Sequence, residues 1–196
     1  SAKGLTASTL ARKYFIQNAT SDYRILLEDR DVNTIIITTR HNTHAQLVIS
    51  ALEAGKNVFV EKPLAMNEQD LKVVQQAYLN AAPTGARLLL GFNRRFSQLT
   101  QRIKDTIMPE QTKSILIRVN AGAVPPDHWV HDPQVGGGRI IGEACHFIDL
   151  AMYLAGSPIS SISAMSRREP LGLHDSVVIN LLFRNGSIAS INYFSN

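Results

Sequence analysis

Cysteine is almost missing from this sequence. Cys145 is the sole one in 196 residues, so no internal disulfide framework can form. That usage suits a reducing, cytoplasmic compartment. No uninterrupted apolar run is long enough to span a bilayer, so no membrane partner is expected. The chain opens Ser1-Ala2-Lys3-Gly4 with no apolar stretch behind it, which argues against a signal peptide. It also lacks an initiator methionine, and the expectation is a chain processed or cut from something longer. The formal charge is only +4, and the basic residues are scattered rather than gathered in a stripe. No nucleic-acid partner is therefore expected. Internal repeats and low-complexity tracts are missing as well. What remains is an ordinary globular composition, 44% hydrophobic, able to build a real core.

The first half alternates strand and helix patterns. Residues 10–17 read as helical. Asn33 to Thr39 is a β-branched run, apolar on both faces, that reads as a buried parallel strand. A helix follows, with Thr43 as N-cap and Gln46 three residues on in a capping-box pattern, and Gly55 ends it. Asn57-Val58-Phe59-Val60 is a second buried strand. Asn67 caps the next helix, with Glu68 and Asp70 in its first turn and a buried stripe of Leu71, Val74, Tyr78 and Ala81. Arg87 to Leu90 is a third strand. This β-α-β-α-β order is the grammar of a doubly wound sheet.

After Gly91 the grammar changes. Residues 98–107 read as a helix and 114–119 as a strand. A long loop over 121–138 carries Trp129, and a helix runs from about 139 to 154, ending at Gly156. Strands at 159–166, 176–183 and 187–194 follow without helices between them, which implies antiparallel pairing. Asn185-Gly186 predicts a hairpin turn with positive φ at both central residues. The expected fold is therefore α/β plus α+β, with a first domain over 1–93 and a second over 94–196.

Three clusters carry chemistry. Glu61-Lys62-Pro63 directly follows a strand, and ligands of open α/β sheets sit at strand carboxyl ends. Pro63 stiffens the turn that aims the lysine. The bland alternative is a surface Glu–Lys pair. Thr38-Thr39-Arg40-His41-Asn42-Thr43-His44 runs from a strand end into a helix N-terminus, whose free N–H groups attract phosphate or ribose oxygens. His41 and His44 are three apart, but no further ligand lies nearby in sequence, so no metal site is expected. In the third cluster, Gly136-Gly137-Gly138 precedes a helix bearing Glu143, His146 and Asp149 on one face. That arrangement sets an imidazole between two carboxylates and suits general acid–base work. The alternative is a packed structural histidine. The triple glycine is no dinucleotide loop: G-x-G-x-x-G read from Gly136 meets Ile141 where glycine is required, and it follows a loop rather than a strand.

Taken in order, these motifs resemble the glucose–fructose oxidoreductase / inositol dehydrogenase (Gfo/Idh/MocA) family. Ile35 through His44, Ala51 through Val58 and Glu61-Lys62-Pro63 look like the second half of its Rossmann domain. Gly91-Phe92-Asn93-Arg94-Arg95-Phe96 resembles the crossing into its second domain, and the triple glycine with His146 and Asp149 resembles its substrate-side helix. The resemblance spans about 8 to 194. It implies the C-terminal part of a Rossmann domain followed by an open, mostly antiparallel sheet domain, incomplete at its C-terminus.

The same resemblance implies an NAD- or NADP-dependent dehydrogenase acting on a secondary alcohol of a sugar, polyol or sugar nucleotide. Lys62 would touch the reacting oxygen and position the nicotinamide, and His146 would exchange the proton, with Glu143 beside it. Thr38, Arg40, His41, His44, Glu61, Lys62 and Pro63 would line the cofactor side. Asn93, Arg94, Trp129 and Asp149 would line the substrate side. Many relatives carry an aspartate four residues before the histidine, where this chain has Gly142; Glu143 is adjacent but leaves the helix about 100° away. The family's glycine-rich phosphate loop and the elements around it are not in the sequence. NAD versus NADP is therefore unreadable, and the isolated chain is expected to be inactive. A sheet edge left unpaired in this way invites pairing with another copy, so a homo-oligomer is expected. The alternative to an enzyme is a non-catalytic binding or assembly module. Upstream coding sequence with a strand and G-x-G-x-x-G would favour the enzyme.

Overall fold

The structure, a computed structural model, describes residues 4–167 and 175–195. It holds two sheets with separate cores. The first sheet is three parallel strands in sequence order, β1 (Thr34–Ile37), β2 (Asn57–Val60) and β3 (Leu88–Leu90). The crossovers are α3 (His41–Glu53) and α4 (Glu68–Ala81), preceded by α1 (Gly4–Lys13) and α2 (Arg24–Glu28). Side chains alternate across a strand. Ile37, Val58 and Val60 accordingly point to a core shared with Val48, Leu52 and Val74 of the helices. The opposite row, Ile36–Phe59–Leu89, stays open, with Ile36 69% exposed. The expected burial of β1 on both faces is therefore corrected: α3 and α4 cover one face only.

Several local expectations also change. The first helix lies at Gly4–Lys13 rather than 10–17, and Phe15 just beyond it has φ 56. Helix α2 was not expected. Thr43 is not the N-cap of α3. Arg40 holds that position, and Thr43 sits in the first turn with its hydroxyl donating to the Arg40 carbonyl at 2.8 Å. The cap of α4 is as expected, with Asn67 Oδ1 accepting from the Asp70 N–H at 2.8 Å. Only Val74 and Ala81 of its predicted stripe are buried, while Leu71 and Tyr78 are exposed.

The second sheet has strand order β4-β7-β6-β5, formed by β4 (Ser114–Asn120), β5 (Ile159–Ser166), β6 (Val177–Phe183) and β7 (Ile188–Phe194). The last three strands pair antiparallel, as expected, and β4 joins β7 in parallel. The β6–β7 turn differs from the expected type. Gly186 has φ 82, whereas Asn185 is not in the left-handed region, and the Gly186 N–H reaches back to the Phe183 carbonyl at 3.0 Å. This is a type I turn closed by a left-handed glycine.

One face of this sheet is covered by α6 (Cys145–Ala155), which presents Phe147, Ala151 and Ala155 at helical spacing to Val177, Ile179, Ile191 and Tyr193. The other face carries Leu116, Met165, Leu182 and Ile188 in the open, with Leu116 and Met165 each 74% exposed. Between the sheets lie a 3₁₀ turn (Asn93–Phe96), α5 (Gln98–Thr106) and the long loop. Among the described residues no helix is long and apolar enough to cross a membrane.

Candidate active site at the seam between the two sheets

The carboxyl ends of β1 and β2 open toward the second half. The Glu61 N–H donates to the Ile37 carbonyl at 2.9 Å, so Thr38 and the Glu61–Pro63 turn leave the sheet side by side. Glu61 packs its carboxyl over Gly91 at the end of β3, where a Cβ would come within 3.0 Å of Oε2. His44 is 1% exposed, with Nδ1 2.8 Å from the Pro63 carbonyl and Nε2 3.1 Å from the Thr39 carbonyl. It ties the lysine turn to the loop after β1. Lys62, half-buried, donates from Nζ to the Gly142 carbonyl at 2.5 Å, and so reaches from the first sheet layer to the start of α6.

That start is a single π-helical turn, Ile140–Ala144, of the kind often found at functional sites. Gly142 is required there by space. A Cβ would lie 2.8 Å from His41 Cε1. His41 is buried, its Nδ1–H donates to the Gly136 carbonyl at 2.8 Å, and its ring meets Trp129 edge-on at 4.9 Å. The Arg40 guanidinium covers the same indole at 4.3 Å. Trp129, His41 and Arg40 therefore form one stack across the seam, helped by the Asn42 N–H on the Val135 carbonyl at 3.2 Å. Burial, ahead of the charge of Lys62, lowers the His41 proton affinity and keeps its ring neutral. Gly142→Ala should force this ring to shift. The expected cost is about 1–3 kcal/mol, read as a lower urea midpoint at unchanged slope. A wild-type midpoint would show that the ring gives way freely.

His146 sits on the next turn of α6, half-buried, with its ring 6.1 Å from that of Phe92. Its Nδ1 is buried with no hydrogen-bond partner. Burial first, then Lys62 and Arg94, push its pKa down to about 4, while Glu143 and Asp149 pull the other way. The expected His146 between two carboxylates is only partly realised, because each carboxylate is engaged elsewhere. Asp149 is buried and paired through two contacts with Arg95, one of them Nε to Oδ2 at 3.0 Å. Glu143 Oε2 accepts from the Tyr193 hydroxyl at 3.3 Å. Asn93 and Arg94 are exposed on the turn after β3, and the Arg94 guanidinium lies 4.3 Å from the centre of the Phe147 ring.

Sequence reasoning missed Arg95, Tyr193 and Arg139. Arg95 and Tyr193 lie about fifty residues from their partners, in a turn and a core strand that carry no chemical signature. Arg139 directly follows the triple glycine, and its partner, the Gly122 carbonyl, leaves no mark in a sequence. A parallel β-α-β-α-β layer that brings a strand-end lysine to the start of a histidine-bearing helix on a second, mixed sheet is a Rossmann-type layer joined to a sheet domain. Comparison with known proteins makes this particular. Residues 2–91 match the model of the oxidoreductase family with NAD-binding Rossmann fold, and 113–196 match the GFO/IDH/MocA C-terminal domain. The chain belongs to the Gfo/Idh/MocA oxidoreductase family.

Among curated proteins, it is 33% identical to scyllo-inositol 2-dehydrogenase (NAD(+)) of Bacillus subtilis, over 82% of this chain and 46% of that protein. It is 28% identical to myo-inositol 2-dehydrogenase of Thermotoga maritima, over 93% and 55%. A solved levoglucosan dehydrogenase, in complex with NADH and levoglucosan, superposes with a TM-score of 0.85 at 27% identity, covering 98% of this chain and 55% of that one. The chain spans about half the length of the curated relatives it matches.

Proposed function

We propose that this chain carries the catalytic seam of an NAD- or NADP-dependent dehydrogenase that moves a hydride between nicotinamide and a secondary alcohol of a sugar, polyol or sugar nucleotide. Its first domain would end near residue 93. The observation that carries the reading is the meeting of Lys62 and His146: the lysine ammonium reaches the Gly142 carbonyl, four residues before the histidine on the same helical stretch, and depresses its proton affinity.

When bound, the nicotinamide supplies the hydride acceptor or donor. The residues here fit such a group. Thr38, Glu61 and Lys62 leave adjacent strand ends at the edge where α/β sheets take their ligands. His146 Nδ1 is a buried polar atom with no protein partner. Lys62 has ammonium protons to offer an alcohol or carbonyl oxygen. His146, neutral at pH 7, takes the proton as the alcohol is oxidised and returns it in the reverse direction. Glu143 supplies negative charge beside it.

The test is a screen of the full-length protein with NAD⁺ and NADP⁺ against myo-inositol, scyllo-inositol, levoglucosan and glucose, followed by nicotinamide absorbance. Turnover of at least one is expected, and none with either cofactor would sink the reading. Self-association belongs to the same proposal, because the Leu116–Met165 face leaves apolar surface that a second copy can cover. Light scattering should give a dimer or larger, and a clean monomer at high concentration would contradict it.

A further inference from the structure

We propose that Tyr193 is a positioning residue: its hydroxyl fixes the Glu143 carboxylate at the seam, and the buried Arg139 guanidinium fixes Tyr193 in turn. The proposal rests on the reading that Glu143 and His146 belong to the active site.

Tyr193 is 0% exposed in the middle of the second core, where β7 pairs with Val177 of β6 and the ring faces Phe147 at 6.2 Å. A phenylalanine would fill that space. A buried hydroxyl is kept only where it finds a partner, and this one has Glu143, donating to Oε2 at 3.3 Å. Burial and then the Glu143 charge raise the phenol to about 12, so it remains a donor throughout the neutral range.

Behind the ring lies Arg139, 3% exposed, its guanidinium 5.4 Å from the ring centre and its Nη1 on the Gly122 carbonyl at 2.6 Å. Its Nε is buried without a partner, and among the described residues Arg139 forms no ion pair of its own. A buried cation needs negative charge nearby. Glu143, on the hydroxyl of the same phenol, supplies it. The order Arg139–Tyr193–Glu143 therefore sets the carboxylate from the rigid core outward, one helical turn before His146.

A double-mutant cycle in the full-length protein tests this, with NAD⁺ or NADP⁺ and the alcohol identified by the screen. Tyr193→Phe keeps the ring and removes only the hydroxyl. It should lower kcat about tenfold, as loss of a hydrogen bond to a charged group does, while KM for the cofactor moves less than about twofold. In a Glu143→Gln background the same change should lower kcat less than about twofold, because its effect passes through the carboxylate. Equal losses in both backgrounds would overturn the proposal. So would unchanged kcat in Tyr193→Phe accompanied by a lower melting temperature, since that is a packing role alone. If Glu143→Gln itself turns over normally, Glu143 leaves the site and the proposal falls with it. If no alcohol is turned over by the wild type, the oxidoreductase reading fails first.

Discussion

Lys62→Met should lower turnover by about 10²- to 10⁴-fold, the range typical of a lost acid–base or polarising group. Methionine keeps the length and apolar stem of the side chain and removes its charge and three donors. In the resting seam those donors hold the Gly142 carbonyl at 2.5 Å. Their loss therefore has a structural part, about 1–3 kcal/mol for a buried carbonyl left unpaired. The catalytic part is separable. If Lys62 merely ties the two halves together, the variant melts earlier and its folded fraction turns over normally. If Lys62 acts on the reacting oxygen, turnover falls at temperatures where the variant is fully folded. Cofactor affinity should fall as well, because the lysine leaves the strand end beside Thr38 and Glu61. Normal kcat in a folded Lys62→Met protein would remove the lysine from the chemistry.

The order of elements was readable because each rests on local chemistry. Asn67 accepts from Asp70 within one turn, and Gly55 takes its positive φ at the end of α3 without tertiary help. The alternation of Val177, Ile179, Leu181 and Phe183 marks the inner face of β6. The misread details depend on what covers a surface. The run Ile35-Ile36-Ile37 is equally apolar on both sides, yet only Ile37 is buried, because α3 and α4 pack on one face of the sheet. Leu71 and Tyr78 fail as stripe members for the same reason: α4 buries a narrower face than its spacing allows.

The site was legible as a set of residues but not as a set of partners. Lys62, His41, His146 and Glu143 stand out in the sequence, and the structure gathers them at one seam. Their contacts run to main-chain carbonyls at Gly136 and Gly142, and to Tyr193 on a distant strand. Carbonyls leave no signature in a sequence, and a tyrosine in an alternating strand looks like packing. Asp149 shows the converse error. Its spacing from His146 predicts a partner for the imidazole, but Arg95 takes both carboxylate oxygens.

His146→Ala should lower kcat by about 10²- to 10⁴-fold while leaving cofactor affinity nearly unchanged, because the ring belongs to the second sheet's helix and not to the strand ends that would hold the nucleotide. A second measurement, to be read together with turnover, reports the burial of the ring. Its pKa is about 4 in the fold, against the usual 6.5, with burial the leading cause and the cations Lys62 and Arg94 next. The folded state thus takes up this proton less readily than the unfolded chain. The neutral ring costs nothing above pH 6.5, and stability drains away as pH falls from there toward 4. The difference is on the order of 3 kcal/mol. Replacing His146 with alanine should remove that part of the acid sensitivity, so urea midpoints of wild type and variant should converge between pH 6.5 and 4 even if the variant starts lower through lost packing. A structural histidine would give the same convergence with normal turnover. A catalytic one gives convergence together with the loss in kcat, and turnover near wild type in the folded variant would strike His146 from the mechanism.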